Sequence, residues 1–521
     1  MITITLCEAI LQSITHNQRS NTFFEAQNLL DHQLEELHDV EVNEGIVSSL
    51  CFQLGYLLDS SEVHGEDVGK VFFLISLVYQ CSDSVRETCF YQLGNELLTM
   101  CHNSFQSLRE TKHFDWSLHQ IVKVLKALSR LRSASITMIQ QGGCMRILQS
   151  ILSKTGISSE ARYEAVMTLK NISFYADNFR LLMIQHPGLL DVIIHSCLDS
   201  EGGMEMKEHI SAILWNLAMA PDTKIPMAEH SCLLDLLVQL TEDYNPKTKR
   251  NAVNAISSLV VEGRNSMIFV THGEGVILEI MKRLVEEDSD PVVRQRAARA
   301  LRYFGRRDTV EMIVNYRGII DALCRVGMND SSVETQVEAI GALACYVKHA
   351  HGMTPYYSNI MNSIIKIARS SRSACCIEAL AKTMNGLAYF ESNRLAMVNH
   401  CALLKTLTSI ATHPLSTTLS NEFSASALHN LSCEDNNKST MSSSYVLRTL
   451  ISLASNERVE ALVTRSYAVK ALVNLATLET NRKCMAQETG LLRCLIHYAT
   501  TTTGDVKDDV KATIINLTPS V

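Results

Sequence analysis

Glycine and proline are scarce in this chain, at 22 and 8 of 521 residues, whereas apolar residues make up 46% of it. So few helix breakers among many Leu, Ala, Ile and Val favour a mostly helical protein. The longest apolar candidate, residues 71–79, is too short to span a bilayer, so we expect no membrane span. Residues 1–8 lack the basic segment with which a secretion signal begins.

Motifs that carry chemistry are missing as well. The sixteen cysteines contain no Cys-x-x-Cys, which excludes a zinc ribbon and a thioredoxin-type site and favours reduced thiols in the cytoplasm or nucleus. There is no Gly-x-Ser-x-Gly, no P-loop and no His-Glu-x-x-His. His349-Ala350-His351 lacks a third metal ligand. We therefore expect no enzyme, no cofactor and no metal site.

Charge is unevenly distributed along the chain. Residues 1–120 carry 5 Lys and Arg against 17 Asp and Glu, which leaves 42 against 38 for the remainder. A strongly positive face is the usual mark of a nucleic-acid-binding protein. An acidic front followed by a mildly basic remainder argues against nucleic-acid binding.

What the chain does contain is a four-residue signature, apolar-x-Asn-apolar, that returns at nearly constant spacing. Its clear copies are centred on Asn171, Asn216, Asn430, Asn474 and Asn516. Adjacent copies lie 45, 44 and 42 residues apart, and the gap of 214 residues after Asn216 equals five steps of about 43. A fixed period in this range is typical of stacked helical units. The sequence therefore predicts an all-α solenoid.

The same period locates degenerate copies of the signature. In these copies another residue replaces the asparagine, whose place in each repeat we call the column position. These replacements are Ala127, Ser258, Tyr303, Ala342 and Gly386. Glycines follow several column positions by 15 to 17 residues, where a helix should end and the chain should turn. They stand at positions 143, 188, 275, 318 and 490. Each unit is therefore predicted to have a short first helix, a second helix and a longer third helix that carries the column position.

The Ala- and Leu-rich third helix that ends in Leu-x-Asn-Leu-(Ala/Ser) resembles that of armadillo-repeat proteins. The resemblance covers about residues 121–521 in ten units. The related HEAT repeats are the alternative, and the recurring asparagine favours the armadillo repeat. It implies a right-handed α-solenoid in which the third helices line a concave groove. Residues 1–120 fit the pattern poorly, and we predict that they form an acidic helical N-terminal cap, because an end unit must cover one apolar face.

In armadillo proteins such as beta-catenin and importin alpha, the column asparagine binds the backbone of an extended peptide. The resemblance implies this role here for Asn171, Asn216, Asn430, Asn474 and Asn516. A side-chain amide offers both a donor and an acceptor, so it can pair with peptide N–H and C=O groups irrespective of sequence. In the alternative interpretation, these amides tie neighbouring helices together.

The middle of the array has a basic stripe instead of asparagines. Arg296, Arg299 and Tyr303 follow one another at helical spacing on one face of a predicted helix, and Lys382 and Lys470 stand four residues before their own column positions. Arginine beside an aromatic residue is typical of interaction hot spots, and carboxylate or phosphate is its natural partner. The alternative is a solvated basic face that pairs with nearby glutamates.

We therefore predict a monomeric, non-catalytic scaffold, cytoplasmic or nuclear, that binds extended acidic or phosphorylated segments of other proteins. A nuclear import adaptor is a rival. Importin alpha, however, carries Trp four residues before the asparagine, where this chain has Met167, Ala212 and Lys470. Asn254, at the same offset, is predicted to join the peptide-binding groove. A cytoskeletal, ciliary or membrane-tethered scaffold would share this binding mode, and acylation of Cys7 would support tethering.

Overall fold

The structure is a computed structural model. It describes residues 72, 87, 90, 97–99, 101–106, 114–175, 177–198, 203–230, 232–306, 308–349, 357–370, 373–400, 402–456, 458–501 and 506–518. Most of the predicted N-terminal cap, with Cys7, lies outside the described residues, as does His351. The chain divides into two compact units, Met1–Ala255 and Ile256–Val521.

Every regular element with defined bounds in the described part of the chain is a helix. The first unit contains α1 (Phe114–Leu128), α2 (Arg132–Gln140), α3 (Gly143–Ser153), α4 (Ser159–Phe174), α5 (Asp177–Gln185), α6 (Leu189–Leu198), α7 (Gly203–Met219), α8 (Lys224–Ala228), α9 (Leu233–Thr241) and the start of α10 (Pro246–Leu259). A short 3-10 helix, Pro221–Thr223, precedes α8.

The second unit begins within α10 and continues the three-helix pattern, except that the repeat of Gly386 has two described helices, α17 and α18, instead of the predicted three. It contains α11 (Asn265–Thr271), α12 (Val276–Glu287), α13 (Pro291–Phe304), α14 (Val310–Asn315), α15 (Ile319–Asn329), α16 (Val333–His349), α17 (Tyr357–Ser370), α18 (Ala374–Tyr389), α19 (Glu391–Asn399), α20 (Leu403–Ala411), α21 (Thr418–Ser432), α22 (Asp435–Met441), α23 (Ser444–Ala454), α24 (Leu462–Ala476), α25 (Glu479–Gln487), α26 (Leu491–Thr501) and α27 (Val506–Leu517). Short 3-10 helices, His272–Gly275 and Val459–Ala461, precede α12 and α24.

The predicted register is confirmed, because all ten column positions lie on the third helix of a unit. These third helices are α1, α4, α7, α10, α13, α16, α18, α21, α24 and α27. Their apolar residues recur at helical spacing and face the interior. On α7, for example, Ile210, Ile213 and Leu214 are fully buried.

Local sequence signals explain where these helices begin and end. The Asp290 side chain accepts a hydrogen bond from the backbone N–H of Val292 (2.9 Å), and Pro291 occupies the first turn of α13. Both are favoured there, because a helix N-terminus has backbone N–H groups without intrahelical partners. Several turns between first and second helices use a left-handed residue, such as Gly318 with φ 85°, whereas the turn between α22 and α23 has Ser442 and Ser443 with negative φ. In the earliest described turn Gly142, with φ 66°, takes this conformation in place of the predicted Gly143.

Within each unit the third helices pack against one another in chain order. In the first unit α1 contacts α4 and α4 contacts α7; in the second unit α13, α16, α18, α21, α24 and α27 contact one another successively. Packing of each repeat on its sequence neighbours defines a solenoid. The prediction of an all-α solenoid is confirmed.

No single helix in the described ranges has the length and apolar character to cross a membrane. One pair of helices, Phe179–Gln185 and Leu189–Leu198, meets that test jointly by length and composition, although it is bent by 83°.

Candidate functional site

In the first unit the predicted asparagines bridge neighbouring third helices. Nδ2 of Asn171 donates to Oγ of Ser129 on the preceding third helix (2.9 Å), and Nδ2 of Asn216 donates to Oγ of Ser173 (3.0 Å). Each serine hydroxyl in turn donates to the backbone carbonyl three residues earlier on its own helix, at 2.6 and 2.7 Å. The serines are buried, whereas both asparagines are half-buried.

The second unit repeats this bridge once and varies it once. Nδ2 of Asn474 donates to Oγ of Ser432 (3.1 Å), as in the first unit. Asn430 instead donates to Oδ1 of Asn385 at 3.4 Å, because Ala388 stands in the preceding repeat where the other bridges have a serine. Asn516 is exposed on α27, the last described helix.

In each of these serine bridges, one N–H group of the asparagine amide is used to hold two third helices together. A side-chain amide has two N–H donors and one carbonyl acceptor, and the serine takes only one of the donors. The second N–H of Asn171 and Asn216 and the Oδ1 of all three asparagines remain for a ligand, whereas Nδ2 of Asn474 also donates to Sγ of Cys433 (3.5 Å). Tying neighbouring helices is therefore an observed role of these residues, and binding of a peptide backbone stays a prediction.

Asn254 differs from the other predicted contacts. Its side chain is only 4% exposed, and its Oδ1 is buried without a hydrogen-bond partner among the described residues. A buried amide cannot reach an extended segment on the surface. We therefore do not place Asn254 on the ligand-contacting face.

A second set of contacts joins the third helices at the residue before the column position. In the first unit Lys126 pairs with Glu164 (Nζ–Oε2, 2.7 Å), and Nζ of Lys170 lies 3.0 Å from Nδ1 of His209. Because an ammonium can only donate, Nδ1 of His209 accepts, and its Nε2–H faces the hydroxyl of Tyr163 at 3.3 Å. Burial and then the Lys170 charge lower the pKa of His209.

The second unit has the same kind of contact in two places. Nη1 of Arg302 pairs with Oε2 of Glu338 at 3.0 Å. The rings of His429 and Tyr467 face each other with centroids 5.8 Å apart and an interplanar angle of 33°. In each of these contacts one partner stands immediately before the column position of its own third helix. The other partner stands four or seven residues before the column position of the next third helix. This spacing was the available sequence signal. Sequence reasoning did not use this signal.

Arg296, Arg299, Arg302, Tyr303 and Arg306 form a basic group in the second unit, which we call the Tyr303 cluster. The guanidinium carbons of Arg299, Arg302 and Arg306 lie 5.6, 5.8 and 5.7 Å from the centroid of the Tyr303 ring. Stacking of guanidinium groups on an aromatic ring is favourable, but three like charges around one ring also repel.

Arg296 extends this cluster toward the start of α13. Its Nε is buried without a hydrogen-bond partner in the part of the chain that the structure describes. Burial, and then the neighbouring charge of Arg299, lower the pKa of Arg296. The structure thus brings together Arg296, Arg299 and Tyr303, as the predicted stripe required.

The two predicted lysines lie outside the Tyr303 cluster. Lys382 on α18 is exposed to solvent. Lys470 on α24 is half-buried, and its Nζ lies 6.0 Å from the centroid of the Tyr467 ring. Lys470 therefore belongs with His429 and Tyr467 rather than with the arginines.

Another asparagine series, on the first helices, was missed by sequence reasoning. Nδ2 of Asn393, Asn437 and Asn481 donates to the backbone carbonyl six residues earlier, at 3.1, 3.1 and 3.0 Å. These carbonyls end a third helix and have no intrahelical partner. The 44-residue spacing of the three asparagines was the available signal. All three are at most 2% exposed, so their role is structural.

A pocket of about 400 Å³ opens in the first unit between α1, α4 and α7. His119, Lys123, Glu160, Tyr163 and Glu205 are among the residues that line it. Its charged groups are of both signs and do not select one class of ligand. In the described ranges no three His, Cys, Asp or Glu side chains converge on a metal-binding position.

The chain resembles solved structures more clearly than it resembles known sequences. No family model matches it, and no curated protein matches it. A chain in a structure of cadherin and beta-catenin, whose interaction a conserved phosphorylation switch controls, matches with a TM-score of 0.63 at 14% identity, over 94% of this chain and 95% of that chain. The fold is a helical-repeat solenoid. A crystal structure of an engineered protein also matches this solenoid, with a TM-score of 0.56 at 17% identity over 92% and 99% of the two chains.

Proposed function

We propose that this solenoid is a non-catalytic scaffold of the armadillo type that binds extended acidic or phosphorylated segments of other proteins. In the same proposal it is a monomer that acts in the cytoplasm, the nucleus or both. The Tyr303 cluster is the observation that carries the proposal.

The charge of the Tyr303 cluster is poorly compensated by the protein itself. Of its four guanidinium groups, only that of Arg302 pairs with a carboxylate among the described residues. Arg306 donates to the backbone carbonyl of Val261 (2.9 Å), and Arg299 stacks on the Tyr303 ring. A bound carboxylate or phosphate would relieve the repulsion, and a guanidinium binds either through two parallel hydrogen bonds.

The column asparagines supply the second half of the proposal. Because the serine bridges fix the orientation of the amides of Asn171, Asn216 and Asn474, their Oδ1 atoms are held in place before a ligand arrives, as are the second N–H groups of Asn171 and Asn216. Each hydrogen bond contributes about 0.5–1.5 kcal/mol net, so the amides give affinity only in series. Backbone contacts would then hold any extended segment, and the basic residues would select acidic ones.

The likeness to the beta-catenin chain supports protein binding as the class of function. That chain binds cadherin under the control of phosphorylation. At 14% identity no individual residue role can be transferred to this chain, so the residues proposed here rest on their own geometry.

Charge reversal with a matched control tests the proposal. Arg299→Glu should reduce the affinity for acidic or phosphorylated peptides selected from an array by about tenfold or more, because loss of one partner of a close charge pair costs about 2–5 kcal/mol. Arg325→Glu makes the same charge change on a second helix, where Arg325 pairs with Glu286 (2.6 Å). Fluorescence anisotropy measures both affinities, and circular dichroism checks folding.

Arg325→Glu should bind the peptides like the unmodified protein. Equal affinity of all three proteins would refute the proposed role of the Tyr303 cluster. Equal weakening by both substitutions would show a general charge effect instead of a site.

A further inference from the structure

A second group of basic and aromatic side chains lies further along the second unit. His429 is the residue before the column position of α21, and Tyr467 and Lys470 stand on the next third helix, α24. The Tyr467 ring contacts both others, with its centroid 5.8 Å from that of the His429 ring and 6.0 Å from Nζ of Lys470. We call these three residues the His429 group.

His429 is only partly satisfied by its surroundings. Its Nδ1 is buried without a hydrogen-bond partner among the described residues, which leaves Nε2 as the nitrogen available to a ligand. His209, at the matching contact in the first unit, has Lys170 at Nδ1 and the Tyr163 hydroxyl at Nε2. The two histidines thus occupy equivalent positions in their repeats. Both ring nitrogens of His209 have hydrogen-bond partners, whereas Nε2 of His429 is available to a ligand.

The charges around His429 are positive. Lys470 faces it from α24, and Arg394 faces it from α19; burial and then these two cations lower its pKa. Helix α18 presents the neutral Asn385 at the same register. On α22, Lys438 is engaged by Asp435 (2.6 Å), and no carboxylate of the described residues acts on the pKa of His429.

We propose that the His429 group is an anion subsite for a phosphate ester on the bound segment, and that Nε2 of His429 takes up one proton from solvent when the anion binds. The subsite rests on the proposed function, since it lies among the column residues Asn430 and Asn474. Lys470 supplies a fixed charge, and Tyr467 holds the imidazole and the ammonium against one ring. The uptake of a proton turns the neutral imidazole into a second cation when the anion is bound.

The coupling has a defined sign. An anion beside His429 favours the imidazolium, so the bound state has the higher pKa. Affinity for a ligand of fixed charge should therefore rise as the pH falls, by about tenfold per pH unit at most, until free His429 is itself protonated. At pH values above the pKa of the bound state, affinity should be independent of pH.

Sulfate is a suitable probe, because its charge is constant across this pH range while its shape matches that of phosphate. Full-length protein labelled with 13C at histidine Cε1 is titrated from pH 5 to pH 8 by NMR, with and without sulfate, and His429→Gln and His209→Gln assign the two signals. Sulfate should raise the pKa of His429 and leave that of His209 unchanged. A shift of His429 no larger than that of His209 would refute the subsite.

Affinity measurements complete the test. Binding of sulfate to the unmodified protein should strengthen as the pH falls from 7.5 to 5.5, by at most about tenfold per pH unit, and His429→Gln should remove this dependence. The same dependence in His429→Gln would assign it to another group and overturn the proposal. Since sulfate needs no peptide, this outcome is independent of the effect of Arg299→Glu on acidic peptides, and the two proposals can fail separately.

Discussion

At the scale of single residues, the bridges between third helices combine hydrogen bonds with perturbed titration. Lys170, His209 and Tyr163 form a chain across two third helices, and the lysine is stable there because the imidazole is neutral. Protonation of Nδ1 would place two donors against each other. The hydrogen bond between Lys170 and His209 should therefore be lost when His209 is protonated at low pH.

The stability of the first unit should depend on the protonation of His209. Its folded-state pKa is lowered, so protons bind the unfolded chain more readily, and the contribution of His209 to stability is present above the unfolded pKa of about 6.5 and lost as the pH falls through the folded value. In His209→Gln, urea midpoints between pH 7.5 and 5.5 should change less than in the unmodified protein. A pH profile that is the same in both proteins would contradict this.

At the scale of helices, the first helices α19, α22 and α25 are each attached to the third helix before them by a buried asparagine. Nδ2 of Asn437 donates to the backbone carbonyls of Leu431 (3.1 Å) and Arg394 (3.0 Å). One side chain thus joins the end of α21 to the preceding first helix as well. Asn481 repeats the arrangement with Leu475 and Lys438.

Asn437→Ala should lower the free energy of unfolding by about 1–3 kcal/mol, because the two hydrogen bonds that the buried amide donates to backbone carbonyl groups would be lost. Its neighbour Asn436 is exposed and donates to Glu434 (2.9 Å), so Asn436→Ala is a control that should cost less than about 0.5 kcal/mol. Denaturant melts of both variants measure the difference. Similar small losses for the two would show that Asn437 is not a structural cap.

The sequence predicted the third helices well and the contacts between them poorly. The column asparagines and the glycine turns repeat along one chain, so their spacing alone revealed the register. The pairing of Arg302 with Glu338, or of His429 with Tyr467, depends on how two third helices face each other. The repeat spacing gives no such information, because it predicts where a residue lies along its own helix but not which residue of the next helix it contacts. The bonds of Asn437 were missed because they link the ends of helices, where no apolar pattern marks the residue.

At the scale of the whole molecule, a repeat protein distributes its stability over local contacts. Every repeat packs on its sequence neighbours, so a defect in one place should weaken that region before it weakens others. Leu472, which is fully buried on α24, allows a test of this behaviour.

Leu472→Ala should cost about 2–5 kcal/mol in a denaturant melt, because it leaves a cavity in the core of the second unit. Leu462, on the same helix, is 54% exposed, and Leu462→Ala should cost far less. Hydrogen exchange measured by mass spectrometry should show the loss of protection near α24 and little change in α1 to α7. A uniform loss of protection over all described helices would contradict the local character of the fold.

The serine bridges also set a rule for dissecting or engineering the array. The donor amide belongs to one repeat and the hydroxyl that orients it belongs to the repeat before, as with Asn474 and Ser432. A fragment that begins at the repeat of Asn474 would keep the asparagine but lose its anchor. Truncations and grafts should therefore start one full repeat upstream of the first amide whose recognition they are meant to preserve.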